Sequence, residues 1–204
     1  MGGGGFIYTS SDNGTSWDNR TSGTSNWLNG VTFYDNTFVA VGNYGTILTS
    51  SDNGTTWDNR TSGTTNNLYG ITGRGLWVVG DNGTILNSID NGTSWNQTNS
   101  GTTNILRSIT SGGQGYLEEA GGTLSHLAVG DNGTIIGSRG GCCGTNWFER
   151  PSGTKVHLFG ITAGEMLVAV GYTGTILTNT NEYRENTWTS RTSGTSNFLL
   201  GVNY

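Results

Sequence analysis

One proline (Pro151), one lysine (Lys155) and two cysteines in 204 residues exclude several fold and function classes. Runs of Ala, Leu, Glu and Lys that would propagate a helix are nearly missing. Charged residues reach only 11% and hydrophobic residues 32%, which fits neither a helical bundle nor a charge-rich disordered tail. The formal net charge is −5 and no basic stripe exists, so nucleic acid is not an expected partner. No apolar stretch approaches a bilayer span, so membrane insertion is not expected either. Residues 1–5 carry no charged-then-apolar leader pattern. Cys142 and Cys143 are adjacent and lack the spacing of a redox or zinc motif. A vicinal disulfide, free thiols and a bridge to another chain all stay open for them.

What the chain does have is Gly, Thr, Ser and Asn, the chemistry of turns and strand surfaces. Three cassettes recur in a fixed order. V-G-x-x-G-T-I-[LI] occurs at 41–48, 79–86, 129–136 and 170–177. A tryptophan follows each time, at Trp57, Trp95, Trp147 and Trp188, with an earlier copy at Trp17. S-G-T then begins at Ser22, Ser62, Ser100, Ser152 and Ser193. Successive tryptophans lie 40, 38, 52 and 41 residues apart, the length of a four-stranded propeller blade. Alternation in "TILTS" and "FVAVG" is the period-2 signal of half-buried strands, and Asn-Gly pairs supply tight turns between them.

The expected fold is therefore all-β: a β-propeller of about five four-stranded antiparallel blades in one domain. The repeat units run approximately 6–26, 27–66, 67–104, 105–156 and 157–197, with 198–204 closing the first. In the second unit the strands are expected at Leu28–Tyr34 (A), Thr37–Val41 (B), Thr46–Ser50 (C) and Thr56–Arg60 (D). Phe6–Ser10 aligns with strand C, Ser16–Arg20 with D and Phe198–Tyr204 with A, so both chain ends are expected to share one blade. Gly2–Gly5 reads as a poor substitute for that blade's strand B, because glycine weakens strands.

Ser10 to Trp17 reads S-S-D-N-G-T-S-W, with close copies at Ser50–Trp57 and Ser88–Trp95. This resembles the Asp-box (BNR-type) turn of sialidases and related propellers. Together with the V-G-x-x-G-T-I-L cassette, the chain resembles the repeat family of the photosystem II assembly and stability factor, which is widespread in bacterial surface proteins. The resemblance implies that Asp12, Gly14, Trp17, Asp52, Gly54, Trp57, Asp90, Gly92 and Trp95 are structural. It also implies an extracellular or cell-surface location. The turns at 138–147 and 178–188 are longer and lack the Asp.

No catalytic constellation accompanies the repeat. A sialidase needs a cluster of three arginines, a tyrosine nucleophile and acids. Here Arg20, Arg60, Arg150 and Arg191 share one repeated position before S-G-T, which suggests hydrogen bonding or Trp stacking in each blade. His126 and His157 fall in different blades without metal-ligand spacing. The Asp-Asn-Gly turns offer one carboxylate each, too few for calcium. Neither a metal nor a cofactor is implied. Eight Asn-x-Ser/Thr sequons read as the repeat's own turn chemistry.

Variable positions mark where a site would lie. Each strand A keeps a leucine: Leu28, Leu68, Leu106, Leu158 and Leu199. Residues before it are Trp27, Asn67, Ile105, His157 and Phe198; those after it are Asn29, Tyr69, Arg107, Phe159 and Leu200. Trp27, Tyr69, Arg107, His157, Phe159 and Phe198 are thus the candidate ligand or partner face, with Tyr44 and Tyr172 nearby. The insertion 111–125, with Glu118 and Glu119, is a candidate contact loop. The expected function is a non-catalytic structural or protein-interaction propeller, not an enzyme, binding a protein partner or copies of itself. The alternative is a glycan-binding, lectin-like propeller using Trp27, Trp77 and Tyr69.

Overall fold

The V-G-x-x-G-T cassette reverses the chain between two buried strands, and each reversal seeds one sheet. The computed structural model describes residues 2–73, 75–112, 124–139, 146–180 and 188–203. Among the described residues eighteen strands form sheets in simple sequence order. The first sheet is two-stranded, β1 (Ile7–Thr9) with β2 (Asp18–Arg20). Four four-stranded sheets follow. They are β3 (Leu28–Tyr34), β4 (Thr37–Gly42), β5 (Ile47–Ser50) and β6 (Asp58–Arg60); then β7 (Leu68–Thr72), β8 (Trp77–Gly80), β9 (Ile85–Asn87) and β10 (Asn96–Thr98). Next are β11 (Leu106–Ser111), β12 (Leu124–Gly130), β13 (Ile135–Arg139) and β14 (Asn146–Glu149). Last come β15 (Leu158–Ala163), β16 (Leu167–Gly171), β17 (Ile176–Asn179) and β18 (Thr189–Arg191). Neighbouring strands run antiparallel.

Two compact units make up the chain: Met1–Val78 with Leu86–Gln97, and Val79–Ile85 with Thr98–Tyr204. In the first, Val39, Val41 and Ile47 of one sheet meet Leu68, Leu76 and Leu86 of the next, all fully buried. Ile7, Leu28, Ala40 and Leu48 form a smaller core covered by Trp57. In the second unit Leu127, Val129 and Ile135 pack on Leu158, Leu167 and Leu177, with Trp188 at the margin. The inner strands are buried on both faces, whereas the fourth strand of each sheet is largely exposed. This explains why strands B and C read as near-continuous apolar runs and strand D does not.

One expectation about the ends is corrected. Residues 198–203 form no strand; they have no ladder partner among the described residues, and Leu199 N–H donates instead to the Gly171 carbonyl (3.0 Å). Gly3–Gly5, which read as a poor substitute for a strand, is indeed none: it forms the same one-turn reversal seen at Asn43–Gly45, Asp81–Gly83, Asp131–Gly133 and Tyr172–Gly174. Strand D begins at Asp58 rather than Thr56 because Thr56 is held by the preceding turn. The contact-loop candidates Glu118 and Glu119 and the Cys142–Cys143 pair lie outside the described residues.

Candidate functional site

Most polar side chains of the repeat serve the scaffold, which narrows the search for a site. The second glycine of each V-G-x-x-G turn has φ between +65 and +71°, and a Cβ there would collide with the carbonyl of the threonine in the following S-G-T loop. That threonine is Thr24 for Gly5, Thr64 for Gly45, Thr102 for Gly83, Thr154 for Gly133 and Thr195 for Gly174. The serine of the same loop donates to that carbonyl at 3.0–3.1 Å in all five copies. Only glycine meets both the positive φ and the close approach.

The three Ser-x-Asp-Asn-Gly turns are likewise self-contained. Ser50 Oγ donates to Asp52 Oδ1 (2.8 Å) and accepts from Gly54 N–H (2.9 Å). Asp52 accepts from the Thr56 amide (2.9 Å) and hydroxyl (2.6 Å), while Trp57 Nε1 donates to the Gly54 carbonyl (3.1 Å). Ser10–Trp17 and Ser88–Trp95 repeat this pattern. These donors hold the carboxylates of Asp12, Asp52 and Asp90 at about 2, below their ordinary 3.8; for Asp52 and Asp90 the Thr56 and Ser94 hydroxyls act most strongly, for Asp12 the Ser16 amide. The repeated arginines are also occupied. Nε of Arg20, Arg60 and Arg191 donates to Thr9, Thr49 and Thr178 on the adjacent strand, each at 2.8 Å, rather than to loop carbonyls.

One cluster that the scaffold does not use lies in the second unit. The register of strand A slips between Leu106 and Ser108 and between Leu158 and Gly160, so Arg107 and Phe159 are bulge residues turned out of the ladder. Arg107 forms a bidentate pair with Asp131, Nε to Oδ1 and Nη2 to Oδ2 (3.1 Å). Its guanidinium lies 5.3 Å from the Phe159 ring centre. His157 Nδ1 sits 3.1 Å from the same Asp131 oxygen and 3.3 Å from the Asn132 amide. Neutral, that nitrogen accepts from Asn132; protonated, it donates to Asp131. The Tyr172 and Phe198 rings lie 4.2 Å apart, tilted by 30°, with Phe159 at 6.3 Å from Phe198 and Tyr172 edge-on to His157 at 6.4 Å.

Arg107, His157, Phe159 and Phe198, four of the six residues proposed from sequence, therefore form one continuous surface, with Phe198 53% exposed. Sequence reasoning missed Asp131 as its keystone, having read that Asp-Asn-Gly as a turn only. The pairing appears only in the folded chain, where the first x of this V-G-x-x-G meets the bulge residue of strand A. In the second sheet the same two positions are Asn43 and Asn29, bonded at 2.9 Å. Trp27 and Tyr69 belong to the first unit. Trp27 is exposed, its ring resting against Gly3; Tyr69 is half-buried. Trp77 is 1% exposed, which removes it as a sugar-stacking platform. His126 is buried beside Ser138 at 3.4 Å.

Comparison with solved structures gives the architecture. "YCF48 bound to D1 peptide" superposes with a TM-score of 0.61 at 21% identity, covering 81% of this chain and 53% of that one. YCF48 from Cyanidioschyzon merolae superposes at 0.60 and 18% identity, covering 91% and 59%. The fold is a β-propeller. This propeller chain spans little more than half the length of the structures it matches. No family model and no curated protein matches the sequence. The neighbours also overturn the expected extracellular or cell-surface location, since YCF48 is not an extracellular protein.

Proposed function

We propose that the chain is a non-catalytic protein-interaction propeller that receives a protein segment on the Arg107–His157–Phe159–Phe198 surface. The observation that carries this reading is the aromatic surface of Phe159, Tyr172 and Phe198 backed by the Arg107–Asp131 ion pair and His157. Phe198, Tyr172 and Phe159 offer stacking area of the kind that anchors protein interfaces. Asp131 holds Arg107 over the Phe159 ring, so the surface is formed before any partner arrives. One neighbour of the same fold was solved with a D1 peptide, which favours a peptide as partner class. On this reading the three Ser-x-Asp-Asn-Gly-x-x-Trp turns are Asp-boxes and serve only the scaffold.

The test is a fluorescence-polarisation screen of labelled peptides, a D1 peptide and a mixed-sequence library, against the purified chain. Binding that falls at least tenfold in Phe198→Ala and in Arg107→Ala supports the proposal. No peptide binding, or binding indifferent to both substitutions, rejects it. Light scattering over a concentration series asks separately whether copies of the chain are the partner.

A further inference from the structure

Away from that surface, within the first unit, a wide, open cleft of about 730 Å³ lies between two successive S-G-T loops. Its size falls within the roughly 300–1,000 Å³ of small-molecule sites. Its lining is almost wholly hydroxyl and amide: Thr61, Thr65 and Asn59 from one side, Thr24 and Asn26 from the other. The single charged group, Arg60, is committed, with Nε on Thr49 (2.8 Å) and Nη2 on Asp58 (3.2 Å). Asn26 Nδ2 donates to Thr46 Oγ1 (2.9 Å), which fixes the orientation of its amide.

Tyr44 is the anomaly in this cleft. It is 71% exposed, and it lies in the left-handed region at φ +56°, ψ +36°. Equivalent positions hold Gly4, Asn82, Asn132 and Thr173. A bulky aromatic is poorly suited to that conformation, and exposure denies it the burial that would offset the strain. Its backbone N–H donates to Asn67 Oδ1 (3.0 Å), which holds the residue in place at the cleft wall.

We infer that this cleft binds a neutral carbohydrate, with Tyr44 as the stacking platform. A pyranose presents one flat face of C–H groups and a rim of hydroxyls, each both donor and acceptor. The exposed phenol ring matches the face, and the Thr and Asn side chains match the rim with mixed donors and acceptors. An acidic sugar finds no unpaired cation here, and a peptide finds no apolar recess. The site shares no residue with the peptide surface of the second unit, so the two readings stand or fall separately.

Saturation-transfer NMR on the whole chain tests it with maltose, cellobiose, lactose and N,N′-diacetylchitobiose, and with sialyllactose as the acidic counterpart. The expected result is transfer to at least one neutral sugar, with affinity reduced at least tenfold in Tyr44→Asn. Asparagine already occupies this turn position at 82 and 132, so that variant keeps the fold, checked by an unchanged or higher melting temperature. Tyr44→Trp, which retains a platform, retains binding. Absence of any neutral-sugar signal, preference for sialyllactose, or equal affinity in Tyr44→Asn would each overturn the assignment.

Discussion

The two units keep one framework and differ in what they hang on it. Both use the glycine-to-threonine lock, with Gly45 on Thr64 in the first and Gly174 on Thr195 in the second. The first unit also repeats the Ser-x-Asp-Asn-Gly turn three times with nearly superimposable hydrogen bonds. In the second, the corresponding segments lack the Asp, and the Arg107–Asp131–His157 cluster with its aromatic neighbours stands out instead. Positions that close a turn are fixed by backbone geometry, whereas the bulge residue of strand A is released from the ladder and is free to diversify. Divergence concentrates where the backbone asks for nothing.

Several substitutions would break or sharpen this contrast. The cores should respond alike: Leu68→Ala in the first unit and Leu158→Ala in the second should each cost roughly 2–5 kcal/mol in urea denaturation. A large difference between them would mean that the units do not share one packing scheme. The locks should also respond alike, with Gly45→Ala and Gly174→Ala each destabilising by more than about 1 kcal/mol. Acid should separate the units. Folded values near 2 lie below the ordinary 3.8, so the carboxylates of Asp12, Asp52 and Asp90 support their turns above about pH 4. That support fades as pH falls from 3.8 through about 2. The indole N–H resonances of Trp57 and Trp95 should report it, and Asp52→Asn should remove the dependence at Trp57 alone. The smallest stability effect belongs to Phe198→Ala, under about 1.5 kcal/mol, because the ring is half-exposed. Peptide binding should nevertheless be lost in that variant, and retained binding would dissolve the functional side of the comparison.

The sheets were legible because V-G-x-x-G-T-I-L encodes its own geometry: two β-branched, buried strands around a glycine that no other residue can replace. Strand A of the second sheet falls where the alternation places it, at Leu28–Tyr34. Strand D was read too long, since the hydroxyl of Thr56 looks like strand chemistry until its bond to Asp52 is seen. The turn at Gly3–Gly5 was hidden for a different reason. Four consecutive glycines erase the Val and Thr flanks that identify the other copies. Of the candidate surface, the residues beside the strand-A leucine were recoverable by aligning repeats. Asp131 was not, because its partner Arg107 lies 24 residues away and becomes a neighbour only through the antiparallel ladder.

The lock between each glycine turn and its S-G-T loop bears on how such a chain grows. Gly45 meets Ser62 and Thr64, all within one repeat of about forty residues, and the other four copies are equally local. Every repeat carries both halves of its own fastening. A duplication or deletion of one repeat therefore adds or removes a finished part, with no mismatched turn left behind. Repeat number in this architecture is open to change by recombination alone, and new surfaces can be trialled on a copy while its siblings keep working.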